Sequence, residues 1–347
     1  MLFSSKAKGF ILDRGEQTTL LARVSALKAP MVIEMVAECA SDDEAALKAA
    51  LDSLAPKKSS GYLHAHCGIS PSLRFVRRAT LDSKRVKEPD YLLEILNNQF
   101  RLDAAQNTIA VINAFDGIEY DATKPNASKE VVFCGLPTDD MTRLQKSILS
   151  LGVFPERLEL STVATLGAII DYLRFSESGK PTIVLELGAD STQSFIVSPR
   201  GLEAARPIAV GLETMVPVVQ KELGLKDEES ARKLFFSNTF DFTGMGASLC
   251  KRLLKELQSS MGFYEVQTGQ SIGQVICTVL PAKLSWLEAV IASQIGVNVL
   301  QPDVLPWLTA RNISLSEQVN VAQLDARKFS LLGLMMQFPV QSDAPAA

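Results

Sequence analysis

The sequence predicts an α/β protein in which one unit, made of three strands, a helix and a fourth strand, occurs twice. The first copy has strand patterns at residues 9–15, 18–24, 31–38 and 61–69 and a helical pattern at 42–54. The second copy has strand patterns at 182–188, 192–198, 202–210 and 273–280 and a helical pattern at 211–224. Because the same order recurs about 170 residues later, an internal duplication determines the predicted fold.

Local patterns assign the individual elements. In the helix at 42–54, Asp42 or Asp43 can cap the amino terminus. Its apolar side chains recur every three or four residues and therefore share one face: Ala46, Leu47, Ala50, Leu51 and Leu54. A later helix is predicted at 282–296, where Gly296 ends it. The most apolar helical stretch is predicted at 158–175.

Two insertions interrupt the duplicated units. Residues 84–150 contain two helical and two strand patterns, which predict a small α/β subdomain, and residues 226–270 are largely helical. We expect a first-lobe core (1–83), the inserted subdomain (84–150), a helix that links the lobes and packs on the first (151–180), a second-lobe core (181–225), its helical insertion (226–270), the remaining second-lobe core (271–337) and a disordered tail (338–347).

Composition excludes several classes of function. The 347 residues are 47% hydrophobic, enough for two lobes, and a net charge of -4 without a basic stripe argues against nucleic-acid binding. The five cysteines are odd in number and far apart, as in proteins of a reducing compartment. Charged residues interrupt every apolar stretch, so we expect no signal peptide and no direct membrane insertion. The predicted location is the cytoplasm, with any link to the inner membrane made through a partner.

The tight turn between the first two strands of each copy is a candidate phosphate site. The first turn contains Asp13, Gly15, Thr18 and Thr19, and the second contains Glu186, Gly188, Asp190, Ser191 and Thr192. In such hairpins a carboxylate such as Asp13 can hold hydrated Mg²⁺, the glycine permits close approach, and hydroxyl or amide groups bind phosphate oxygens. Taken alone, each turn is more typical of ordinary hairpin chemistry.

Four further segments are informative as a set: LELGADSTQSFIV (185–197), ARPIAVGLETMVPVVQKELGL (205–225), LKELQSSMGFYEVQTG (254–269) and KFSLLGLMMQ (328–337). In this order they resemble the PilM proteins of type IV pilus assembly, relatives of FtsA and, more remotely, of actin. The resemblance covers roughly residues 8–336. It implies duplicated ribonuclease-H-like (actin-like) lobes with an FtsA-type inserted subdomain at 84–150. It also adds Gly211 and Glu213 to the residues that could contact ATP, although Gly211 equally fits a glycine that starts a helix.

Several positions depart from the family pattern and predict a degenerate nucleotide site. In the second hairpin Glu186 replaces the usual Asp, and in the first hairpin Glu16 occupies a phosphate-facing position. A carboxylate beside a triphosphate is repulsive by about 1–4 kcal/mol, unless Glu16 turns to solvent. Leu21 or Ala22 stands near the position of the family's lysine. The first hairpin therefore lacks an expected cation.

The ribose and adenine positions differ more. The resemblance places Ala231 and Leu234 where the family has a Glu and a Lys, and a shift of one residue would bring Arg232 or Lys233 there instead. Leu280-Pro281 replaces a glycine pair beneath the adenine, where only glycine permits close approach. We therefore expect ATP with Mg²⁺ to bind weakly or not at all, and we expect no turnover.

Other candidate sites have simpler interpretations. His64 and His66 share one face of a strand but lack a third metal ligand nearby, which favours a packed or surface pair. Cys67 is typical of a core residue, and Asp139-Asp140 of a helix cap. The basic run of Arg74, Arg77, Arg78, Lys84, Arg85 and Lys87 fits either a solvated strand edge or a surface for an acidic tail or anionic lipid.

The PilM resemblance implies a cytoplasmic scaffold of a pilus or type II secretion-like inner-membrane complex. The implied partner is the short cytoplasmic tail of a PilN-like single-span membrane protein, bound along segments 61–78 and 107–136. Rival hypotheses are an ATP-binding switch of the same fold, an FtsA-like membrane tether, which would need an amphipathic tail helix that this sequence lacks, and a sugar kinase, for which no catalytic carboxylate is recognisable. A homodimer is left open.

Overall fold

The structure is a computed structural model that describes residues 9–55, 61–124, 128–237 and 239–336. The strands are β1 (Gly9–Gly15), β2 (Thr18–Val24), β3 (Met31–Ala40), β4 (Leu63–Ser70), β5 (Phe75–Thr80), β6 (Asn107–Asn113), β7 (Glu130–Pro137), β8 (Val153–Leu160), β9 (Thr182–Leu187), β10 (Thr192–Ser198), β11 (Gly201–Ile208), β12 (Gln274–Val279), β13 (Asn298–Val299) and β14 (Ile313–Leu315). The α-helices are α1 (Glu44–Leu54), α2 (Tyr91–Glu94), α3 (Thr138–Ser150), α4 (Ser161–Phe175), α5 (Val216–Leu223), α6 (Glu228–Ser237), α7 (Gly246–Thr268), α8 (Trp286–Ile295), α9 (Val304–Ala310) and α10 (Phe329–Met335).

The chain forms two compact units, and each contains one copy of the duplicated sheet. The first unit takes in the described residues up to Tyr172 and those from Asp303, and the second takes in Leu173–Pro302. The first sheet has the order β14-β3-β2-β1-β4-β8 and the second has the order β11-β10-β9-β12-β13. In both, the first three strands are antiparallel neighbours and the fourth pairs in parallel with the first. The predicted duplication is confirmed.

The first unit buries its apolar strand positions on both faces of its sheet. On one face, Leu12 of β1, Leu21 of β2 and Cys67 of β4 pack with the apolar side of α1, whose Asp43 accepts a hydrogen bond from the Ala46 amide as the predicted cap. On the other face, α4 and α10 approach so closely that a Cβ on Gly333 would lie 2.2 Å from the Ala164 carbonyl oxygen. β1 is therefore packed between α1 on one face of the sheet and α4 and α10 on the other.

The inserted subdomain differs in extent from the prediction of 84–150. Its three-stranded sheet has the order β5-β7-β6, so it begins at Phe75. Its own core joins Ala79, Val131 and Phe133 of this sheet to Tyr91 and Ile95. By contrast, α3 lies within the predicted insertion but packs Ile148 into the first-lobe core. α3 therefore belongs with the first-lobe core, where its apolar residues Met141, Leu144 and Ile148 pack.

The structure also corrects two other predicted boundaries. Residues 303–336, predicted to belong to the second lobe, join the first unit: β14 pairs in parallel with β3, and α10 packs against β1 and β4. Residues 158–160, predicted to be helical, end β8, which pairs with β4 before α4 begins at Ser161. The predicted tail at 338–347 lies outside the described residues. Within the part of the chain that the structure describes, no helix is long and apolar enough to cross a membrane.

Candidate functional site

Asp13 ends β1 in a buried position beside the start of α4. Its side chain is only 5% exposed, and its Oδ1 accepts a hydrogen bond from the Ser161 hydroxyl. Gly68, its neighbour on β4, makes this approach possible, because a Cβ there would lie 2.7 Å from Ser161 Oγ and 2.9 Å from Asp13 Oδ1. Neither Ser161 nor Gly68 was singled out from the sequence, since both lie far from Asp13 along the chain.

The first hairpin is closed by hydroxyl contacts. The Ser41 hydroxyl donates to the Gly15 carbonyl oxygen at 2.8 Å, so the Thr19 hydroxyl, 2.8 Å from Ser41 Oγ, donates its proton to Ser41. Gly15 has no room for a side chain, since a Cβ would lie 2.8 Å from the Thr18 carbonyl oxygen. Thr19 is fully buried and Thr18 half-buried. The Thr19 hydroxyl therefore serves the turn itself in this conformation.

The charges at the first hairpin do not favour a polyphosphate. Glu16 and its neighbour Gln17 are exposed, so the Glu16 carboxylate turns to solvent. Leu21 and Ala22 are buried in the core and supply no cation. Arg14 follows Asp13, but strand alternation places the two side chains on opposite faces of the sheet. Its Nη1 is buried without a hydrogen-bond partner among the described residues.

The second hairpin repeats this arrangement within its own unit. Glu186 is 2% exposed, and the Gly188 amide donates to the Ser191 carbonyl oxygen at 2.9 Å. The fully buried Thr192 donates its hydroxyl to the Val210 carbonyl oxygen at 2.7 Å. Ser191 is half-buried, and Asp190 is exposed at the tip of the turn. The buried hydroxyl of this hairpin is thus also engaged in the fold.

Gly211 lies directly against the second hairpin. A Cβ at this position would lie 2.3 Å from the Ala189 carbonyl oxygen and 2.5 Å from the Asp190 carbonyl carbon. The next two amides continue the contact: Leu212 N donates to the Gly188 oxygen at 3.0 Å, and Glu213 N donates to the Ala189 oxygen at 2.9 Å. The amides that open this helical segment bind the hairpin. Close packing is therefore a sufficient reason for glycine at this position.

The Glu213 carboxylate is bound by Arg232, one of the two cations that a shift of one residue would bring to the family's ribose positions. Arg232 of α6 donates to Glu213 Oε1 in an ion pair, whereas Lys233 pairs with Glu229 on the solvent side. Ala231 is fully buried and Leu234 packs against the same core, so both serve the interior. The other carboxylate oxygen of Glu213 is buried without a hydrogen-bond partner among the described residues. Arg232 is the cation at this position.

Aromatic side chains fill the space between α6 and the turn that precedes α8. We call these residues the aromatic cluster: Phe235, Phe236, Phe240, Phe242 and Trp286. Trp286 stacks on Phe242 with ring centroids 6.0 Å apart, and Phe235 meets the Phe242 ring edge at 5.6 Å. Phe235 and Phe236 follow directly on the α6 positions that the family resemblance assigns to the ribose, and Trp286 lies shortly after Leu280-Pro281, the pair it places beneath the adenine. In this structure these neighbouring segments pack against each other.

The remaining candidate residues have structural partners. His64 Nδ1 lies 3.0 Å from Glu156 Oε1 at the surface, and burial lowers the pKa of His66. The described residues contain no group of three or more potential metal ligands. Burial raises the pKa of the Cys67 thiol to about 12, so this thiol is protonated and unreactive at neutral pH.

Two of the six residues in the basic run at 74–87 form ion pairs with neighbouring carboxylates. Arg78 forms an ion pair with Glu130, and Arg85 contacts both Glu88 and Glu94. Arg74 donates to the Thr162 hydroxyl at 2.7 Å. These contacts favour the interpretation of this run as an ordinary strand edge and its loop.

An exposed apolar residue lies where the inserted sheet joins the lobe. Leu73 is 64% exposed in the short connection from β4 to β5. Arg74 fixes this connection, because it donates to the Pro71 carbonyl oxygen at 2.9 Å as well as to Thr162. Both β5 and β6 are edge strands of the small sheet, and Thr108 and Ala110 of β6 are exposed. Edge strands of this kind can accept an added extended segment.

Comparison with solved structures identifies the fold. A chain of the PilM–PilN type IV pilus biogenesis complex superposes with a TM-score of 0.68 and 15% identity over 95% of this chain and 98% of that one. This is the actin-like fold. Lower similarity is found to a protein of Bacteroides thetaiotaomicron with an actin-like ATPase fold and unknown function (TM-score 0.45, 10% identity, 96% and 98% covered).

The cytoplasmic domain of EpsL, an inner-membrane component of the Vibrio cholerae type II secretion system, is also similar (TM-score 0.39, 10% identity, 95% and 99% covered). No protein-family model matches the actin-like chain, and no curated protein matches it in sequence. The predicted fold class is confirmed, with one ribonuclease-H-like sheet in each unit. The kinship of the inserted subdomain to that of FtsA stays a prediction.

Proposed function

We propose that the chain is a cytoplasmic scaffold of a type IV pilus or type II secretion-like inner-membrane complex. In this role it binds the cytoplasmic tail of a PilN-like single-span membrane protein. The observation that supports the proposal is the match, over nearly the whole length of both chains, to a chain of a complex that contains PilN. The four PilM-like segments of the sequence support it independently.

The candidate binding surface is the junction between the first-lobe core and the inserted sheet. Leu73 offers an apolar side chain in a loop that Arg74 anchors, so little ordering would accompany binding. Residues 118–120 pair with the outer edge of β6 at 111–113, so an extended peptide would add to the preceding part of this edge strand, near the exposed positions Thr108 and Ala110. An extended tail with an apolar side chain that contacts Leu73 fits this surface.

Peptide binding tests this assignment. Single-span proteins with short cytoplasmic tails would be captured from membrane extract, and their tails synthesised and titrated by calorimetry. We expect Leu73→Asp to weaken tail binding at least tenfold, because it places a charge in an apolar contact. Leu93→Asp, at a 42% exposed leucine of α2, is the matched control. If no captured tail binds, this function is wrong; if a tail binds but both variants bind it as wild type does, the assignment of the surface at Leu73 is wrong.

We further propose that the nucleotide site is degenerate. Trp286, close to the pair expected beneath the adenine, stacks on Phe242, and Arg232 of the helix expected to contact the ribose is paired with Glu213. A nucleoside would have to displace both, so we expect no measurable heat or thermal shift with Mg-ATP at millimolar concentration and no ATP hydrolysis.

An ATP-binding switch is the second candidate. The observation that favours it is the retention of a buried carboxylate, Asp13 or Glu186, followed by a glycine turn in each unit. This function requires Mg-ATP to stabilise the protein, and it requires Asp13→Ala to remove that stabilisation. A thermal shift that Asp13→Ala leaves unchanged would contradict the assignment of the metal-linked carboxylate.

A further inference from the structure

The longest helix, α7, presents an unusual surface. Phe263 is 66% exposed and Val266 is 87% exposed, which makes them the two most exposed of the large apolar side chains in the described part of the chain. Lys251, Arg252 and Lys255 are exposed on the same helix. All residues of α7 are described, and none of its fully exposed positions bears a carboxylate. The surface is apolar and basic in a protein whose net charge is -4.

These side chains share one face of the helix. Residues three, four, seven and eleven apart lie above one another on an α-helix, so Arg252, Lys255, Phe263 and Val266 form one continuous stripe. From Arg252 to Val266 the stripe is about 21 Å long at a rise of about 1.5 Å per residue. The small residues Ser259 and Gly262 separate its basic and apolar parts. We call this stripe, together with Lys251, the α7 face.

The cations of the α7 face are not neutralised within the fold. Lys251, Arg252 and Lys255 have no carboxylate partner among the described residues, and the acidic neighbour Glu256 pairs with Arg206 of β11. This distinguishes the α7 face from the basic run at 74–87, where Arg78 and Arg85 are already paired. Anionic groups outside the chain are therefore the complement that the α7 face lacks.

Shape favours a lipid surface as that complement. The α7 face is convex and projects its apolar side chains outward, whereas a peptide site is a groove or a strand edge. Interfacial helices place aromatic and aliphatic side chains at the level of the acyl boundary while lysine and arginine reach the headgroups. The expectation of no direct membrane insertion came from the charged residues that interrupt the apolar stretches, and it concerns segments that would enter the bilayer rather than a face that binds at its surface.

We propose that the α7 face binds peripherally to anionic phospholipid headgroups. Lys251, Arg252 and Lys255 contact lipid phosphates, while Phe263 and Val266 enter the interfacial region. A protein that holds a membrane partner's tail would then have a second, weak contact with the same membrane. This inference rests on residues of α7 alone and does not require the PilN-like tail assignment.

Vesicle flotation with the full chain tests the proposal. The probes are phosphatidylcholine vesicles and vesicles that also contain phosphatidylglycerol, each at low and high salt. Each cation near an anionic surface strengthens binding about fivefold (about 1 kcal/mol), so Lys251→Gln/Arg252→Gln/Lys255→Gln should weaken binding by up to about 100-fold. Phe263→Ser/Val266→Ser keeps the charge and should weaken binding several-fold at both salt concentrations.

The control replaces Lys28, Lys48 and Lys146 by glutamine, three exposed lysines of the first unit without a carboxylate partner among the described residues. It removes the same charge and should bind anionic vesicles nearly as wild type does. Equal binding to neutral and anionic vesicles, equal loss in control and α7 variants, or no binding at low salt would each overturn the proposal. Tail-peptide titration of the same variants reports separately on the proposed scaffold function.

Discussion

Replacing Gly211 by alanine separates a structural role of this glycine from a role in nucleotide binding. The added Cβ would lie 2.3 Å from the Ala189 carbonyl oxygen and 2.5 Å from the Asp190 carbonyl carbon. Both contacts are backbone atoms, so no rotamer change can relieve them. The turn at 189–190 must move away from residue 211 for the methyl group to fit.

The cost follows from that movement. Inserting a methyl group into a packed site costs about 1–3 kcal/mol. The two hydrogen bonds from Leu212 and Glu213 to the turn contribute about 1 kcal/mol each, and the shift weakens both. We expect Gly211→Ala to lower the free energy of unfolding by about 2–4 kcal/mol and the melting temperature of the second unit by roughly 10 °C.

The assay is urea unfolding in the absence of nucleotide, followed by circular dichroism. Gly262→Ala is the matched control, because a Cβ at that helical position has no atom within 4 Å. It should stabilise α7 by about 0.5–1 kcal/mol. If Gly211→Ala unfolds at the same urea concentration as wild type but weakens ATP binding, then Gly211 serves a ligand and our packing argument fails.

Two other substitutions test specific contacts. Asp171→Ala removes a buried carboxylate that accepts two hydrogen bonds from Arg311, both of 2.7 Å. We therefore expect the free energy of unfolding to fall by about 3–5 kcal/mol relative to the exposed-site control Asp52→Ala. Equal stability of the two variants would contradict this. Burial and the hydrogen bond to Glu203 raise the pKa of Tyr264 to about 12. The neutral phenol therefore stabilises the fold fully below about pH 10 and loses this effect as the pH rises towards 12. Tyr264→Phe should flatten that part of a stability–pH profile, and an unchanged slope would exclude Tyr264 as its cause.

Most of the fold could be predicted because its elements have strong local patterns. β1 and β2 are short, mostly apolar runs on either side of a glycine-containing turn, and α1 has both a cap and an apolar face. Pairing between distant segments has no such signal. β14 has only three residues and pairs Ile313 with Met31, far away along the chain. The sequence therefore could not indicate that residues 303–336 return to the first unit.

The candidate site was predictable in its residue types but not in its contacts. The spacing of Asp13, Gly15 and Thr19 identified a hairpin, yet the partner of the Thr19 hydroxyl is Ser41, beyond the third strand. Similarly, the choice between Arg232 and Lys233 depended on an alignment uncertain by one residue. The structure shows contacts that no alignment supplies: Ala231 faces the core, and Arg232 forms an ion pair with Glu213.

The exposed side chains at the tips of the two hairpins are better evidence about nucleotide binding than their buried glycines and hydroxyls. Gly15, Thr19, Gly188, Thr192 and Gly211 each have a packing or hydrogen-bonding reason within the fold, so their presence does not by itself indicate a ligand. The side chains exposed at the tips are Glu16 and Gln17 in one hairpin and Asp190 in the other. Neither tip exposes a cation, and each exposes a carboxylate, which repels phosphate. Mg²⁺ would have to overcome this repulsion at each hairpin, and for that reason we expect binding surfaces for protein partners, rather than nucleotide, to determine what this actin-like chain does.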